Sequence, residues 1–373
     1  MFLLISPANI ALTCCFSKKM NLSDRIEAFA LLGEFLQSFT QEEKKNDALG
    51  CFEEALCKEF SEIIENYHHY NGWFDKANIK RAIEGISKWL ERDTLVRFTE
   101  KYNFNQNTSS KNVGLILAGN IPLVGFHDFL CVLLSGHKAI IKQSSNDLYL
   151  MPFIAKLLIK QNPFFSNHID FSDRLNNIDA VIATGSNNSS RYFKSYFGHI
   201  PHIIRTNRKS MAVLTGNESK EELIGLTNDI LLYYGLGCRN ISLVFIPPNY
   251  NLNLLFEPVF NFFSYLQHHK KYMNNLDYNR AVYSLNKIPF TENGVLMLRN
   301  QKELFAPVAV LNYAEYQHLE EVKEFIELNK NNIQCVVGKI EKICNTSLGD
   351  AQFPKISNFS DDIDTLQFLK NVE

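Results

Sequence analysis

Residues 113–122 read V-G-L-I-L-A-G-N-I-P, a continuous apolar run followed by a turn. The run predicts a buried β-strand over 113–118, because Gly, Asn and Pro directly after it are typical turn residues. The same pattern continues with predicted helices at 129–134 and 148–160 and predicted strands at 139–141 and 178–183. Apolar strands that alternate with helices indicate a parallel sheet covered on both faces. Ligands bind beyond the carboxyl ends of the strands in such sheets.

The flanking regions extend this α/β pattern in both directions. Residues 20–105 are rich in Glu, Lys and Leu and predict helices, with a capping box formed by Thr40 and Glu43. Further strands are predicted at 241–246, 296–298, 308–311 and 333–337, and further helices at 252–266 and 315–328. The polar basic stretch up to 290 carries no predicted element. The fold class expected for the whole chain is therefore α/β.

Composition narrows the possible functions. The chain has 373 residues, 46% of them hydrophobic, and a net charge of −2, which gives no electrostatic reason to expect a nucleic-acid partner or an anionic membrane. Its eight cysteines are scattered, and neither C-x-x-C nor H-E-x-x-H occurs, so we predict no metal site and no disulfide framework. Unpaired thiols fit a cytoplasmic protein.

The first residues are unusually apolar. Residues 2–15 resemble a signal peptide, but no Lys or Arg precedes the apolar run. The run is also shorter than the roughly 20 residues that span a bilayer. Because Met20 begins an ordinary amphipathic helix, predicted over 22–35, we expect residues 1–19 to be an upstream extension. We predict no integral membrane segment.

Cys238 is the best candidate nucleophile. It lies in the segment Y-Y-G-L-G-C-R-N-I, residues 233–241, between a predicted helix and an apolar strand. Ser219 and Glu222 form a capping box at the start of that helix, and the glycines of the segment are predicted to end it and to leave room for a ligand. Most cysteines are small buried side chains, and we interpret the other seven in this way.

Five segments resemble, in the same order, the motifs of the aldehyde dehydrogenase superfamily. They are A-G-N-I-P at 118–122, S-G-H-K-A-I-I-K at 135–142, T-G-S at 184–186, G-C at 237–238 and K-E-L-F-A-P-V at 302–308. The G-x-G-x-x-G, P-loop and G-x-S-x-G motifs are absent. Within the superfamily, the region from 183 to Arg205 and the tail G-D-A-Q-F-P at 349–354 resemble fatty acyl-CoA reductases of the LuxC-like branch.

The resemblance implies a role for individual residues. Cys238 would take the acyl group as a thioester, and Asn120 with the backbone N–H of Cys238 would form the oxyanion hole. Lys142 would hold the adenosine ribose of the cofactor. The other implied cofactor-binding residues are Gly185 and Ser186, facing the pyrophosphate or the nicotinamide half, and Glu303, at the nicotinamide ribose. Taken alone, Asn120 is better explained as a turn residue, Lys142 as a solvated lysine and Glu303 as a surface carboxylate. A plain loop explains Gly185 and Ser186 equally well.

Two departures from the superfamily pattern bear on the reaction. Its E-L-G-G-K segment carries a glutamate that activates water, and here residues 205–209 read R-T-N-R-K, with Arg205 in the place of that glutamate. This replacement favours reduction of an acyl-CoA over oxidation of an aldehyde. Ser145 stands where NAD-preferring members often carry an acidic residue, which favours NADPH over NADH. We interpret Arg205, Arg208 and Lys209 as a solvated face that could meet the phosphates of CoA.

The predicted protein is therefore an NADPH-dependent acyl-CoA reductase with an aldehyde dehydrogenase-like fold, without metal. Its expected regions are a helical N-terminal region (20–105), a cofactor-binding domain (106–210), a catalytic domain (211–345) and a C-terminal tail (346–373). The alternatives are an aldehyde-oxidising dehydrogenase of the same fold and a non-catalytic binding subunit. Another acyl thioester as substrate, an acyl-donating partner, a homo-oligomer and the use of NADH stay open. The group that activates Cys238 is not identified, although Arg239 is adjacent.

Overall fold

The computed structural model describes residues 20–40, 53–104 and 109–372. Its α-helices are α1 (Leu22–Gln37), α2 (Glu54–Asn66), α3 (Lys76–Trp89), α4 (Arg92–Thr99), α5 (Phe126–Ser135), α6 (Leu150–Gln161), α7 (Asn187–Phe197), α8 (Lys220–Leu231), α9 (Asn253–Phe263), α10 (Lys270–Leu285), α11 (Leu319–Asn329) and α12 (Thr365–Lys370). Its strands are β1 (Asn112–Ile116), β2 (Lys138–Lys142), β3 (Ile169–Phe171), β4 (Ala180–Thr184), β5 (His202–Arg205), β6 (Lys209–Val213), β7 (Ile241–Ile246), β8 (Thr291–Glu292), β9 (Met297–Asn300), β10 (Val310–Glu315) and β11 (Ile333–Gly338). The α/β class expected from the sequence is confirmed.

The first sheet has the strand order β3-β2-β1-β4-β5, and all its strands are parallel. The chain builds it outward from β1 through β2 to β3 and then returns to the other side of β1 for β4 and β5. The direction of winding therefore reverses between β1 and β4. Open α/β sheets bind ligands in the crevice at the carboxyl ends of the strands at such a switch point.

The second sheet has the strand order β11-β6-β7-β10-β9-β8, parallel except for β8. Every residue of β7 is buried, so this strand is the centre of the second half. Only three residues separate β5 of the first sheet from β6 of the second. The chain therefore passes directly from the carboxyl edge of one sheet to the amino edge of the other.

The N-terminal helices pack on the first sheet. Phe29 and Phe35 of α1 are fully buried in one core that also contains Val113 and Leu115 of β1. The predicted helical character of this region is confirmed for its described residues. Glu43 lies outside them, so the capping box predicted with Thr40 has no structural account. At the start of α1, Asn21 and Asp24 form a capping box, in which the Asn21 side chain accepts from the Asp24 N–H at 2.9 Å.

Some elements escaped the sequence prediction. The polar stretch before 290 contains α10, whose buried residues Tyr272, Leu276 and Tyr283 recur at helical spacing on one side. This buried stripe is narrow, and because lysines and asparagines surround it, the segment as a whole has a polar composition. Strands β3, β5 and β6 were also not predicted, because β3 and β5 are short and β6 begins with charged and polar residues.

The C-terminal tail returns to the N-terminal half of the molecule. The indole N–H of Trp89 donates to the carbonyl of Pro354 at 2.7 Å, and the Tyr102 hydroxyl bonds Asp364 at 2.7 Å. Asp229 of α8 is fully buried, and its carboxylate accepts from the backbone N–H of Gly349 at 2.7 Å. Burial raises the pKa of Asp229 to about 7. No helix in the described ranges is long and apolar enough to cross a membrane.

Candidate active site

Cys238 lies in a short segment between α8 and β7. The predicted capping box of α8 is confirmed, since the Ser219 side chain accepts from the Glu222 N–H and the Glu222 carboxylate accepts from the Ser219 N–H. The prediction that glycines end this helix is wrong, because α8 ends at Leu231. The turn that follows is made by Tyr233 and Tyr234, with φ of +53° and +59°. Positive φ is uncommon for such side chains and persists where the surroundings impose it.

The N-terminal helices supply those surroundings. The backbone N–H of Tyr233 donates to the side-chain oxygen of Asn78 at 3.3 Å, and the Tyr234 hydroxyl donates to the Asp75 carboxylate. Asp75 caps α3 and Asn78 lies in its first turn. The conformation that leads into Cys238 is therefore fixed by α3.

The segment that carries Cys238 is held by its carbonyl groups. All four carbonyls from Gly235 to Cys238 accept a hydrogen bond from a side chain of another segment. The bonds run from Lys209 Nζ to Gly235 and Gly237 (2.7 and 3.2 Å), from Asn120 Nδ2 to Leu236 (2.9 Å) and from Ser210 Oγ to Cys238 (3.1 Å). These bonds fix the backbone around the thiol before any ligand binds.

Lys209 and Ser210 are the residues that the sequence interpretation missed. They open β6, whose amino end lies beside the amino end of β7. The available sequence signal was the resemblance of residues 205–209 to a superfamily motif, but Lys209 was interpreted there as part of a solvated face. Asn120 comes from the opposite side, after β1, and so joins the carboxyl edge of the first sheet to the amino edge of the second.

The Cys238 thiol is half-buried, and burial raises its pKa above the usual value of 9.0. The Asp361 carboxylate acts in the same direction, whereas the Arg239 and Lys209 cations favour the thiolate. Burial in turn lowers the pKa of Lys209 to about 8. At neutral pH the resting nucleophile is therefore a thiol, and the nearby cations partly offset the cost of forming the thiolate.

We expect alkylation of Cys238 by iodoacetamide to be slow at pH 7 and to accelerate with pH to beyond pH 9. The reason is that the thiolate is the reacting form and the pKa of this thiol lies above its usual value. Peptide mapping by mass spectrometry over a pH series measures the rate at this one cysteine. A rate that levels off below pH 8 would contradict the environment described for the thiol.

Replacing Lys209 with Met is expected to slow the alkylation of Cys238 at pH 7 by roughly tenfold, which corresponds to about one pKa unit. The substitution removes a cation near the Cys238 sulfur and two hydrogen bonds to the segment that carries Cys238. The matched control is Lys330→Met, which removes an exposed lysine directly after α11. Equal rates for wild type and both variants would assign Lys209 no influence on the thiol.

Asn120 and Cys238 are the two predicted site residues that the structure brings together. One N–H of the exposed Asn120 amide is engaged with the loop carbonyl of Leu236, and its second N–H has no protein acceptor in the described residues. The amide is therefore held beside the loop with a donor to spare. Its role in an oxyanion hole stays a prediction.

Four predicted cofactor-binding residues lie at the carboxyl edge of the first sheet. Lys142 is the exposed last residue of β2, and Ser145 is exposed in the loop that follows. Gly185 and Ser186 follow β4, and the Ser186 side chain caps α7 by accepting from the Ser189 N–H at 3.2 Å. The two pairs flank the loop after β1. They thus surround the switch point of the sheet.

Glu303 lies apart from this group, in the exposed loop after β9 of the second sheet. Its carboxylate accepts from the Gln301 side chain at 3.0 Å, and its backbone carbonyl accepts from Asn312 of β10 at 2.9 Å. Among the described residues it contacts none of the other predicted site residues through a hydrogen bond. Its assignment to the nicotinamide ribose stays a prediction.

The interpretation of Arg205, Arg208 and Lys209 as a solvated face is wrong. Arg205 is 4% exposed and forms an ion pair with Asp128 of α5 and a hydrogen bond to Thr365 at 3.0 Å. Arg208 pairs with Asp361 at 3.0 Å. Because all three cations are engaged inside the protein, they do not form a surface for the phosphates of CoA.

A cavity of about 590 Å³ opens beside Cys238. Apolar side chains from α3, α4 and the turn after β1 form much of its wall, and the tail segment 352–358 covers another side. The main apolar lining residues are Ile86, Trp89, Phe98, Ile121, Leu123, Val124 and Phe353. The sequence did not predict this cavity, because its walls come from segments far apart in the chain.

His127 also lines the cavity, and its ring contacts the backbone of the C-terminal tail. Its Nε2 lies 2.8 Å from the Ile356 carbonyl, and its Nδ1 lies 3.8 Å from the Cys131 sulfur. Burial lowers the pKa of His127, so the ring is neutral near pH 7. Since both ring nitrogens have protein partners, we assign His127 a structural role.

Comparison with known proteins identifies the family. The sequence profile of the acyl-CoA reductase (LuxC) family matches residues 24–252, more than half of the chain. No curated protein matches. Solved structures with the same fold include an aldehyde dehydrogenase of Bacillus cereus in complex with NAD+ (14% identity, 87% of this chain and 73% of that one, TM-score 0.60) and PutA of Anabaena variabilis (12%, 94% and 90%, TM-score 0.58). A third is an aldehyde dehydrogenase of Mycobacterium tuberculosis in complex with NAD+ (14%, 82% and 71%, TM-score 0.55).

At these identities the solved structures establish the fold, which is aldehyde dehydrogenase-like as the sequence motifs predicted. The family match goes further, because it extends from α1 through the Cys238 segment and β7. It therefore includes the loop whose carbonyls are tied by side chains and most of the residues around it. This chain belongs to the LuxC family of acyl-CoA reductases, enzymes of acyl-CoA and aldehyde oxidation–reduction.

Proposed function

We propose that the protein reduces an acyl-CoA to the aldehyde with NADPH, through an acyl thioester on Cys238. The observation that carries this proposal is the placement of the Cys238 thiol. It lies on a loop fixed by hydrogen bonds to all four of its carbonyls, beside a largely apolar cavity of about 590 Å³. A preorganised thiol next to an apolar cavity suits covalent capture of an acyl chain.

In the proposed reaction, the Cys238 sulfur attacks the thioester carbon of the substrate. A new carbon–sulfur bond forms, the bond to CoA breaks, and CoA leaves as a thiol with the proton of Cys238. The Asn120 amide and the Cys238 backbone N–H stabilise the negative oxygen, and one such donor contributes ~3 kcal/mol in comparable sites. The reduced nicotinamide, when bound, supplies the hydride that releases the aldehyde and frees the thiolate. Cys238 regains its proton from solvent.

The carboxyl edge of the first sheet fits a nicotinamide nucleotide. Lys142 and Ser145 on one side and Gly185 and Ser186 on the other flank the switch point, where this class of sheet binds nucleotides. Two related structures are complexes with NAD+. We propose that Lys142 holds the adenosine ribose and that Glu303 approaches the nicotinamide ribose. Gly185 and Ser186 would face the pyrophosphate or the nicotinamide half.

We expect Ser145→Asp to lower kcat/KM for NADPH by roughly 10- to 100-fold, or about 1.4–2.8 kcal/mol, while NADH is affected much less. A carboxylate at this exposed position would repel the 2′-phosphate of NADPH and accept from the 2′-hydroxyl of NADH. The matched control is Ser284→Asp, at an exposed position of α10. Equal losses with both nucleotides would place the 2′-phosphate elsewhere.

Two alternatives remain to be tested against this proposal. An aldehyde-oxidising dehydrogenase needs a base that activates water, and no Asp or Glu is among the described residues that line the cavity. A non-catalytic binding subunit needs neither a nucleophilic thiol nor an oxyanion donor, and Cys238 and Asn120 are the residues that we propose for these roles. The free cysteines of the described residues support a cytoplasmic location.

The test is NADPH consumption with acyl-CoAs of several chain lengths. We expect oxidation that depends on the acyl-CoA and produces one aldehyde per NADPH. Aldehyde-dependent reduction of NADP+ without the reverse reaction would favour the dehydrogenase. Failure with every acyl-CoA and both nucleotides would favour the binding subunit.

A further inference from the structure

We propose that the rim of the cavity beside Cys238 binds the phosphate of the acyl donor's phosphopantetheine arm. This inference rests on the proposed function, because it names how the donor of the acyl group is recognised. The 4′-phosphate of that arm is shared by CoA and by acyl carrier proteins. The assigned ligand is therefore a phosphopantetheine thioester, held by its phosphate at the rim and by its acyl chain inside the cavity.

The first observation is the charge of the cavity lining. Five cations line it and no Asp or Glu does so among the described residues. The cations are Arg81, Lys88, Arg97, Arg239 and Lys355. The chain as a whole contains 38 basic and 40 acidic residues, so this one-signed lining is not a consequence of composition. A cleft lined by charges of one sign concentrates ligands of the opposite sign.

The second observation is that most of these cations have no anionic partner. Lys88 pairs with Glu84 at 2.8 Å, but the described residues place no carboxylate within 4.0 Å of the other four. The three arginines donate to neutral groups, as Arg97 does to the Thr94 hydroxyl at 3.4 Å and Arg239 to the Asn358 carbonyl at 3.4 Å. Their charges are therefore free to interact with a ligand.

The third observation is the position of Arg97 and Lys355. Both are exposed, and they come from α4 and from the tail, which approach the cavity as separate segments. The bond from the Trp89 indole to the Pro354 carbonyl fixes the tail next to Lys355 against the N-terminal helices. A phosphate at the rim would thus meet donors from two firmly joined segments.

The cavity matches the two unlike parts of the ligand. Its apolar wall suits an acyl chain, its rim suits an anion, and Cys238 faces the same space, where the thioester would lie. Arg205 and Arg208, which the sequence suggested as phosphate ligands, form ion pairs with Asp128 and Asp361 instead. The predicted nucleotide-binding residues do not line the cavity, which gives the acyl donor a site of its own.

The experiment measures the rate of acyl transfer to Cys238 by intact-protein mass spectrometry, without any nicotinamide nucleotide. Three donors carry the same acyl group: acyl-CoA, an acyl carrier protein thioester and acyl-pantetheine, which lacks the phosphate. The proteins are the full-length wild type, the double variant Arg97→Gln/Lys355→Gln and the control Lys330→Gln. Both rim positions are exposed, so we expect unchanged thermal unfolding.

The proposal predicts that wild type reacts at least roughly tenfold faster with the two phosphorylated donors than with acyl-pantetheine. In the double variant the ratio of these rates falls to near one, while the rate with acyl-pantetheine is the same as in wild type. The control Lys330→Gln keeps the wild-type ratio. A loss with acyl-CoA alone contradicts recognition of the shared phosphate. A preference that survives in the double variant overturns the rim site but leaves acylation of Cys238 intact. Absence of acylation of wild type by all three donors overturns the proposed function itself.

Discussion

Cys238→Ala is expected to lower kcat for acyl-CoA reduction by roughly 10⁵-fold or more, the scale seen when a catalytic nucleophile is removed. Alanine keeps the small side chain but cannot form the thioester, so hydride has no covalent acyl group to reduce. The loop should keep its shape, because its bonds are made by backbone carbonyls and not by the thiol. Acyl-dependent NADPH oxidation measures the loss.

The matched control is Cys344→Ala, another half-buried free cysteine, which does not line the cavity. We expect its activity to stay within about twofold of wild type, as for a substitution away from the site. A Cys238→Ala enzyme with more than a hundredth of the wild-type rate would remove the covalent step from the mechanism. Equal losses in both variants would indicate a general effect on folding.

Arg205→Met is expected to lower the free energy of unfolding by about 3–5 kcal/mol. Arg205 and Asp128 form an ion pair inside the protein, and the remaining carboxylate would be buried without its cation. The Thr365 hydroxyl, which accepts from Arg205, would also lose a partner, and with it α12 would lose a contact. Urea denaturation of both proteins gives the difference in unfolding free energy.

Two further variants sharpen this prediction. Lys156→Met breaks the exposed pair with Glu59 and should cost less than about 1 kcal/mol. The double variant Asp128→Leu/Arg205→Met removes both buried charges and should regain much of the lost stability. A cost for Arg205→Met as small as that for Lys156→Met would return Arg205 to the solvated face that the sequence suggested.

The backbone architecture was largely predictable, because its signals are local. Val113 to Ala118 and the apolar runs that follow bury both faces of parallel strands, and such strands carry unbroken apolar sequence. The Ser219–Glu222 capping box is local in the same sense. Helix α10 was missed since its buried stripe of Tyr272, Leu276 and Tyr283 is narrow and is surrounded by many polar and charged residues.

The site was predictable only in part. Cys238 and Asn120 were found because their segments resemble superfamily motifs, and the structure bonds Asn120 to Leu236, two residues before Cys238. Lys209 was assigned to the surface, because nothing in its neighbourhood along the chain indicates that it enters the interior to bind the Gly235 and Gly237 carbonyls. The burial of Arg205 could not be predicted either, since its partner Asp128 lies 77 residues away in the sequence.

The cavity could not be predicted at all. Its walls combine Trp89 of α3, Leu123 after β1, Cys238 and the tail around Phe353, so only the tertiary fold assembles it. The tail itself is positioned by long-range bonds, among them that from the Gly349 N–H to Asp229. Sequence patterns reveal the interactions of residues that lie close together in the chain. The residues that line this cavity lie far apart in the chain.

The acyl-enzyme is the central claim, and intact-protein mass spectrometry tests it most directly. The protein is incubated with an acyl-CoA in the absence of nucleotide, and the adduct is located by peptide mapping. We predict one added acyl group per chain, on Cys238, which disappears as aldehyde when NADPH is supplied. A protein that oxidises NADPH with acyl-CoA but never carries the acyl group on Cys238 would contradict this mechanism.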